Sequence, residues 1–295
     1  MTFTAEGPVT AELEARAEKA ESRRGLFLAL PSYIYLLLLF ALPLVIIGMY
    51  SFASRSRTGM PKLEAWNLDS ITKLFTDDLI RSIFARSLIV AVLTTTFCLL
   101  IGYPFAYYIA TRSEKARNLL LVFVMIPFWT NFLVRTYAWR VLLGEDGLIT
   151  ELGRFLKLWD SMLFTLPAVY IGLIYGFLPF MVLPLYAAIE RLDWSLIEAA
   201  RDLYASGWEA FRKVTLPLTK QGIIAGSILV FIPSLGAYVT PDILGGAKTT
   251  LIGNYVVNQF LTARNWPLGS SVSMAIMVVM LIATIWYFRS GAKTL

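Results

Sequence analysis

The sequence contains no histidine and only one cysteine, Cys98. The lack of histidine excludes Ser-His catalytic triads, imidazole general bases and metal sites that depend on histidine ligands. A single cysteine allows neither an internal disulfide nor a CxxC site, and its place in an apolar run favours a buried, inert thiol. We therefore expect no catalytic residues, no metal site and no other bound cofactor.

Charged residues are also scarce. They make up 16% of the 295 residues, whereas 57% are apolar, and the mean hydropathy is +0.66. Soluble domains usually have about 45–50% apolar and about 25% charged residues. The excess of apolar residues predicts an integral membrane protein surrounded by the lipid bilayer. The net charge of +6 does not require a nucleic-acid partner.

Six uncharged stretches are long enough, or nearly so, to cross the bilayer core, which takes about 20 helical residues. They cover residues 26–52, 87–111, 118–134, 161–189, 221–241 and 267–288. We expect the third to continue as far as Trp139, with Arg135 near an interface. A further uncharged segment, 249–263, has only 15 residues and three side-chain amides, and is expected to be an interfacial or re-entrant helix.

The predicted fold class is therefore an all-α integral membrane protein with six transmembrane helices. Residues 1–25 would form a polar tail, 26–290 the transmembrane domain, and 291–295 a second short tail. Loops that face the cytoplasm are enriched in Lys and Arg, and the short segment 112–117 holds three of them. This bias predicts that both termini and both tails are cytoplasmic.

The segment 190–220 is a long loop whose apolar residues recur at helical spacing in two successive runs. Ser195 with Glu198, and Ser206 with Glu209, each match the capping box, in which the two side chains bind free backbone N–H groups at a helix start. The sequence therefore predicts two short helices with a break between them. Such a pair is too small to bury its apolar faces alone, so we expect it to dock on a partner.

Within this loop, Glu198-Ala199-Ala200 and Val214-x-Leu216-Pro217 match the spacing of the EAA loop of permease subunits in ATP-binding-cassette (ABC) importers. The chain resembles this family, and the loop stands between the fourth and fifth predicted spans, as it does there. Val214 replaces the isoleucine of the family pattern, and Tyr204 replaces a glycine that supports the turn between two helices. We expect Gly207, three residues later, to take over that turn.

Three further stretches, 131–147, 234–246 and 265–275, are similar to the first permease subunit of spermidine/putrescine-type importers. The resemblance implies a subunit of the bacterial inner membrane that forms the pathway for a small organic solute, such as a polyamine. It also implies three kinds of protein partner: two copies of an ATPase, a second and non-identical permease, and an extracytoplasmic solute-binding protein. ATP hydrolysis would then belong to a partner, so this chain is not expected to be an enzyme.

The resemblance further implies that the loop docks in a cleft of the ATPase, with Glu198 in polar contact with that partner. The residues expected to take part in this coupling are Glu198, Ala199, Ala200, Asp202, Gly207, Leu216 and Pro217. A local alternative is that Glu198 serves only the capping box with Ser195. Leu216 and Pro217 could likewise serve only to start a helix.

Carboxylates and aromatic rings attract ammonium groups through charge and through cation–π contacts. On this basis the candidates for the translocation pathway are Trp129, Tyr137, Trp139, Asp146, Tyr238 and Asp242. The alternative is that the aromatic residues belong to an interfacial belt, and that the carboxylates are simply solvated.

Two other classes of protein fit the sequence less well. A secondary transporter needs ionisable residues inside its spans for ion coupling, and the predicted spans have almost none. An intramembrane enzyme needs a base, a nucleophile pair or metal ligands, which the spans lack. An ABC permease for another small solute, such as an amino acid or an opine, stays an alternative.

Overall fold

The structure of the chain is a computed structural model that describes residues 8–56, 61–63 and 66–291. Residues 1–7 and 292–295 of the two predicted tails lie outside the described residues. The α-helices, numbered in chain order, are α1 (Pro8–Ser51), α2 (Asp69–Thr76), α3 (Asp78–Ala110), α4 (Glu114–Trp129), α5 (Phe132–Leu142), α6 (Leu148–Phe155), α7 (Leu166–Glu190), α8 (Ser195–Asp202), α9 (Gly207–Ala210), α10 (Leu216–Leu218), α11 (Lys220–Leu235), α12 (Ile252–Leu261) and α13 (Trp266–Gly291).

Shorter elements join some of these helices. Two π-helices cover Phe211–Thr215 and Pro241–Gly245, and a 3-10 turn covers Ala247–Thr249. Strands β1 (Ser54–Arg55) and β2 (Pro61–Lys62) pair in antiparallel fashion after α1. The described residues are otherwise helices and their connections, which confirms the all-α class.

Four helices in the described part of the chain are long and apolar enough to cross a membrane. They are Ala29–Ser51 of α1, α3, α7, and Trp266–Arg289 of α13. Two bent helix pairs, α4 with α5 and Gly207–Leu218 with α11, raise the number to six if each pair counts as one span. The exact number of six spans stays a prediction.

The third predicted span is not one continuous helix. α4 ends at Trp129, α5 begins at Phe132, and the two helices are bent by 91°. Between them, Oδ1 of Asn131 accepts a hydrogen bond of 2.8 Å from the N–H of Leu133 and so caps a new helix. The Asn131 cap thus restarts the chain in another direction, and the continuation of the third span as far as Trp139 stays a prediction.

The short segment predicted between the last two spans does contain a helix, α12. Its position relative to the membrane, interfacial or re-entrant, stays a prediction. A bend of 67° separates the helical stretch Gly207–Leu218 from α11, and Thr219 lies at the break. The loop that precedes α11 therefore meets the bundle at a sharp angle.

Helices α3, α7 and α11 form the packed centre of the bundle. Cys98 of α3 is fully buried there, as predicted, with its Sγ 3.8 Å from the carbonyl oxygen of Ile174. Gly222 lets α11 approach α7 closely, because a Cβ at this position would lie 2.5 Å from the Cβ of Ala188. This tight centre gives the loop between α7 and α11 a rigid base.

Helix α1 lies at the edge of the bundle, where it packs against α13. No residue of the most apolar stretch of Ala29–Ser51 is buried inside the chain. Side chains such as Tyr33 and Phe40 are exposed. An apolar helix with so few protein neighbours is suited to contact with lipid or with another subunit.

Candidate functional site

In the loop between α7 and α11, helix α8 packs by one side against α9 and the π-helix Phe211–Thr215. Ile197 is buried, whereas Glu198, Ala199 and Asp202 are exposed and Ala200 is half-buried. The helical spacing of these residues explains the pattern, since positions three and four apart share a face. The glutamate and first alanine of the EAA motif therefore face away from the chain.

Only one of the two predicted capping boxes is present. Oγ of Ser206 accepts from the N–H of Glu209 at 3.2 Å, and Oε2 of Glu209 accepts from the N–H of Ser206 at 3.0 Å. At α8, Ser195 is already inside the helix, and its N–H donates to Oδ1 of Asp193 at 3.0 Å. The prediction of a box between Ser195 and Glu198 is wrong, because Asp193 caps this helix instead.

The caps also lower the pKa values of their carboxylates. The pKa of Asp193 is lowered by hydrogen bonding from the side chain and then the backbone of Ser195. The pKa of Glu209 is lowered by the backbone and then the hydroxyl of Ser206, and further by Lys213. A carboxylate with a lowered pKa stabilises the fold above its unfolded-state pKa and loses this contribution only as the pH falls through the folded-state value. Both caps are therefore intact near pH 7.

Glu198 is left without a local role by this arrangement. Within the described residues, its carboxylate forms no hydrogen bond or ion pair, and the side chain is exposed. The local alternative, in which Glu198 only completes a capping box, thus has no support in the structure. The carboxylate is available to a partner.

The turn between α8 and α9 is made by Tyr204 and not by Gly207. Tyr204 has a φ of +60°, in the left-handed region, and its side chain is 97% exposed. Gly207 is the first residue of α9, follows the Ser206 cap and does not have a positive φ. The expectation that Gly207 takes over the turn is wrong, because the tyrosine itself adopts the conformation that suits glycine.

The outward side of this loop is apolar as well as acidic. Leu203 and Trp208 are exposed on either side of the turn. Leu216 and Pro217 begin α10 and are also exposed, with the proline in the first turn, where a missing N–H has no cost. We call the exposed side chains of Glu198, Leu203, Trp208, Leu216 and Pro217 the loop surface.

Helix α3 anchors both ends of the loop, a feature that sequence reasoning missed. The hydroxyl of Tyr103 shares a buried hydrogen bond of 2.8 Å with Oγ1 of Thr219, and its ring meets Phe211 edge-on at 5.5 Å. One helical turn later, Tyr107 meets Trp194 edge-on at 5.8 Å, just before α8. The sequence signal for this anchor is a pair of tyrosines four residues apart at the end of a span, a spacing that places both on one face of the helix.

An ion pair places the turn between α3 and α4 beside the same loop. Nη1 of Arg117 lies 3.0 Å from Oε1 of Glu190, and both side chains are partly buried. Glu190 is the last residue of α7, immediately before the loop. The basic segment 112–117 and the loop are therefore at the same end of the bundle.

Two of the six pathway candidates line one cavity at the opposite end of α11. This cavity has a volume of about 470 Å³ and lies between the chain that follows α11 and helix α12. Tyr238 and Asp242 line it, together with Asn254 and Asn258 of α12. The arrangement combines one carboxylate, one aromatic ring and two amides, which suits the binding of a polar or cationic group.

The other four candidates lie elsewhere. Trp129 ends α4 and is exposed, and Tyr137 is exposed on α5. Trp139 meets Tyr175 of α7 edge-on at 5.3 Å, so it has a packing role. Asp146 is exposed in the turn between α5 and α6. The described residues also contain no group of three or more His, Cys, Asp or Glu side chains that could hold a metal ion.

Residues 102–290, more than half of the chain, match the family model described as the binding-protein-dependent transport system inner membrane component. The chain belongs to this family. Its relatives include the spermidine/putrescine transport system permease protein PotB of Escherichia coli (strain K12), which is 43% identical over 87% of this chain and 94% of its own length. PotB of Haemophilus influenzae is 41% identical over 88% of this chain and 91% of its own length.

The fold is shared with solved ABC transporters. A crystal structure of a bacterial ABC transporter involved in the import of the acidic polysaccharide alginate matches with a TM-score of 0.70, covering 95% of this chain and 99% of that chain at 18% identity. The resemblance to ABC importer permeases, based on the EAA loop, is confirmed by these matches. The chain is a multi-pass protein of the bacterial inner membrane.

Proposed function

We propose that this chain is the permease subunit of a polyamine ABC importer, and that it forms part of the path by which spermidine or putrescine crosses the inner membrane. The observation that carries this proposal is the 43% identity to a spermidine/putrescine permease along 87% of the chain. Identity at this level over nearly the whole length supports the same class of solute. ATP is hydrolysed in separate subunits, and this chain supplies the path.

The loop surface is the part of the chain that couples transport to ATP hydrolysis. Its Glu198 carboxylate is exposed and has no partner within the described residues, and apolar side chains of the same loop, such as Trp208, are also exposed. Exposed apolar groups around an unpaired charge are typical of a docking surface for another protein. Ala199, Ala200, Asp202, Gly207, Leu216 and Pro217 complete the segment that contacts the ATPase.

The assembly contains two copies of the ATPase, a second and non-identical permease, and an extracytoplasmic solute-binding protein. The chain crosses the membrane six times with both termini in the cytoplasm, and the two bent helix pairs each count as one span. The loop surface and the basic segment 112–117 then face the cytoplasm together, as their shared end of the bundle requires. The cavity beside Tyr238 and Asp242 faces the other side.

The test is transport by the reconstituted assembly. Purified permease pair and ATPase are placed in proteoliposomes with the solute-binding protein outside and ATP inside, and uptake of radiolabelled putrescine and spermidine is compared with that of amino acids and sugars. We expect ATP-dependent uptake of the polyamines only. Uptake of a neutral or anionic solute without uptake of polyamines would show that the proposed solute is wrong.

A further inference from the structure

The side-chain amide of Asn254 has one polar atom with a hydrogen-bond partner and one without. Its Nδ2 donates to the carbonyl oxygen of Tyr238 at 2.8 Å. Its Oδ1 is buried and has no hydrogen-bond partner within the described residues. A buried carbonyl oxygen without a donor is costly, typically by about 1–3 kcal/mol. The fold therefore leaves one acceptor of Asn254 unused in the wall of the cavity that this residue lines.

The orientation of this amide is set by its neighbour. Turning the amide over would place Oδ1 against the carbonyl oxygen of Tyr238, and two acceptors cannot share a hydrogen bond. The same Tyr238 oxygen also accepts the backbone N–H of Asp242 at 3.0 Å. Asn254 and Asp242 are thus bonded to one common atom, the carbonyl oxygen of Tyr238.

The cavity that these residues line contains one carboxylate, that of Asp242, with Asn258 as a second amide and Tyr238 as a ring. An electron-rich ring, a carboxylate and amide oxygens are all groups that attract cations.

We propose that this cavity binds one primary ammonium group of the transported amine, with the Asp242 carboxylate as the charged acceptor and the Tyr238 ring and the Asn258 amide beside it. A primary ammonium has three N–H donors and needs several acceptors at once. A volume of about 470 Å³ leaves room for an attached alkyl chain, far more than a bare metal ion requires. This inference rests on the proposed function, because the carrier of the ammonium group is taken to be the polyamine.

The first experiment measures cation selectivity in the cavity without any transport. In the assembled importer carrying Cys98→Ser, Asn258→Cys is treated from outside with a cationic aminoethyl and an anionic sulfonatoethyl methanethiosulfonate. The ratio of the two rates is compared with that at Leu158→Cys, an exposed reference position. We expect the cationic preference at position 258 to be roughly fivefold greater, because a carboxylate lies nearby, and Asp242→Asn to remove it.

Protection decides whether the site takes an organic amine. Putrescine should slow the reaction of the cationic reagent at position 258 and leave the reference position unaffected. Sodium or potassium chloride at the same ionic strength should not do so. Equal protection by these salts, or no protection by putrescine, would overturn the proposal, as would a charge preference that survives Asp242→Asn.

The second experiment separates this proposal from the proposed function. Wild-type proteoliposomes are first shown to take up putrescine, and failure at that step counts against the function itself. Asp242→Asn should then lower uptake several-fold while Asp242→Glu retains most of it, with unchanged copurification of the ATPase. Asp160→Asn, an exposed carboxylate outside the cavity, is the matched control. If wild-type proteoliposomes take up putrescine and Asp242→Asn takes it up equally well, the cavity proposal is rejected and the proposed function stands.

Discussion

Asp193 and Glu198 carry the same type of charge five residues apart but serve different purposes. Asp193 binds the backbone N–H of Ser195 and so fixes the start of α8. Glu198, one turn further on, binds nothing within the described residues and faces outward. Under the proposed function, the local stability of the loop and its contact with the ATPase thus depend on separate side chains. A mutation at Glu198 can therefore test coupling without disturbing the helix.

Replacing Glu198 by glutamine should impair coupling while the chain still folds and inserts. Leaving a charged partner group unpaired at a buried interface typically costs about 2–5 kcal/mol. Copurified ATPase and solute-stimulated ATP hydrolysis should both fall, and Glu198→Ala should behave in the same way because no cap is lost. Glu114→Gln, an exposed carboxylate at the start of α4, is the control. Normal coupling in both Glu198 variants would exclude a docking role.

Replacing Tyr204 by glycine should stabilise the loop and leave coupling intact. The left-handed conformation costs a residue with a side chain about 1–2 kcal/mol, and glycine removes this cost. Glycine also loses more backbone entropy on folding, which offsets about 0.5–1 kcal/mol of the gain. A small rise in the Tm of the purified assembly is expected, and Tyr204→Asn should act similarly, since asparagine tolerates this conformation. If both variants lose the ATPase, the exposed ring itself is part of the contact.

At the scale of secondary-structure elements, α3 connects the transmembrane bundle to the loop. Tyr107 contacts the loop just before α8, and Tyr103 contacts it at Phe211 and Thr219. Both ends of the loop are therefore attached to one helix. The bend of 67° between Gly207–Leu218 and α11 lies at Thr219. A push on the loop by a partner should therefore move α3 together with α11.

Tyr103→Phe tests this connection by removing one hydroxyl and keeping the ring. Thr219 keeps its hydrogen bond to the carbonyl of Thr215 at 2.8 Å, so the expected loss of stability is that of one hydrogen bond, about 0.5–1.5 kcal/mol. Copurification of the ATPase should be normal, but solute-stimulated hydrolysis and uptake should fall. Tyr108→Phe, whose ring is exposed on the same helix, should have no effect. Equal behaviour of the two variants would contradict a role for the buried contact.

The elements that could be predicted from the sequence are those decided by local pattern. The long apolar runs, the two short loop helices and the Ser206 cap depend on residues a few positions apart, and all are present. The 91° bend after α4 was missed because an apolar run of spanning length does not distinguish one helix from two half-length helices. The Asn131 cap decides between them, and its effect depends on what α5 packs against. The cavity was found only in part, because Asn254 and Asn258 are remote in sequence from Asp242.

At the scale of the whole molecule, the proposed function requires that the loop end of the bundle face the ATPase. The Arg117–Glu190 ion pair brings the basic turn and the loop to one end. The cavity lined by Asp242 follows the opposite end of α11, one helix length of 16 residues away. The proposed function requires this separation, because the solute-binding protein acts outside the membrane and the ATPase inside. The two sites should therefore be accessible from opposite sides of the membrane.

Single-cysteine labelling in a Cys98→Ser background tests this arrangement directly. Lys115→Cys and Arg201→Cys, both exposed at the loop end, should be protected from a membrane-impermeant thiol reagent in intact cells and react once the membrane is opened. Leu158→Cys, exposed between α6 and α7, should react in intact cells. Six spans with cytoplasmic termini require this pattern, because Lys115 precedes the third span and Arg201 follows the fourth. Labelling of Arg201→Cys from outside would overturn the orientation, and with it the assignment of the loop surface to the ATPase.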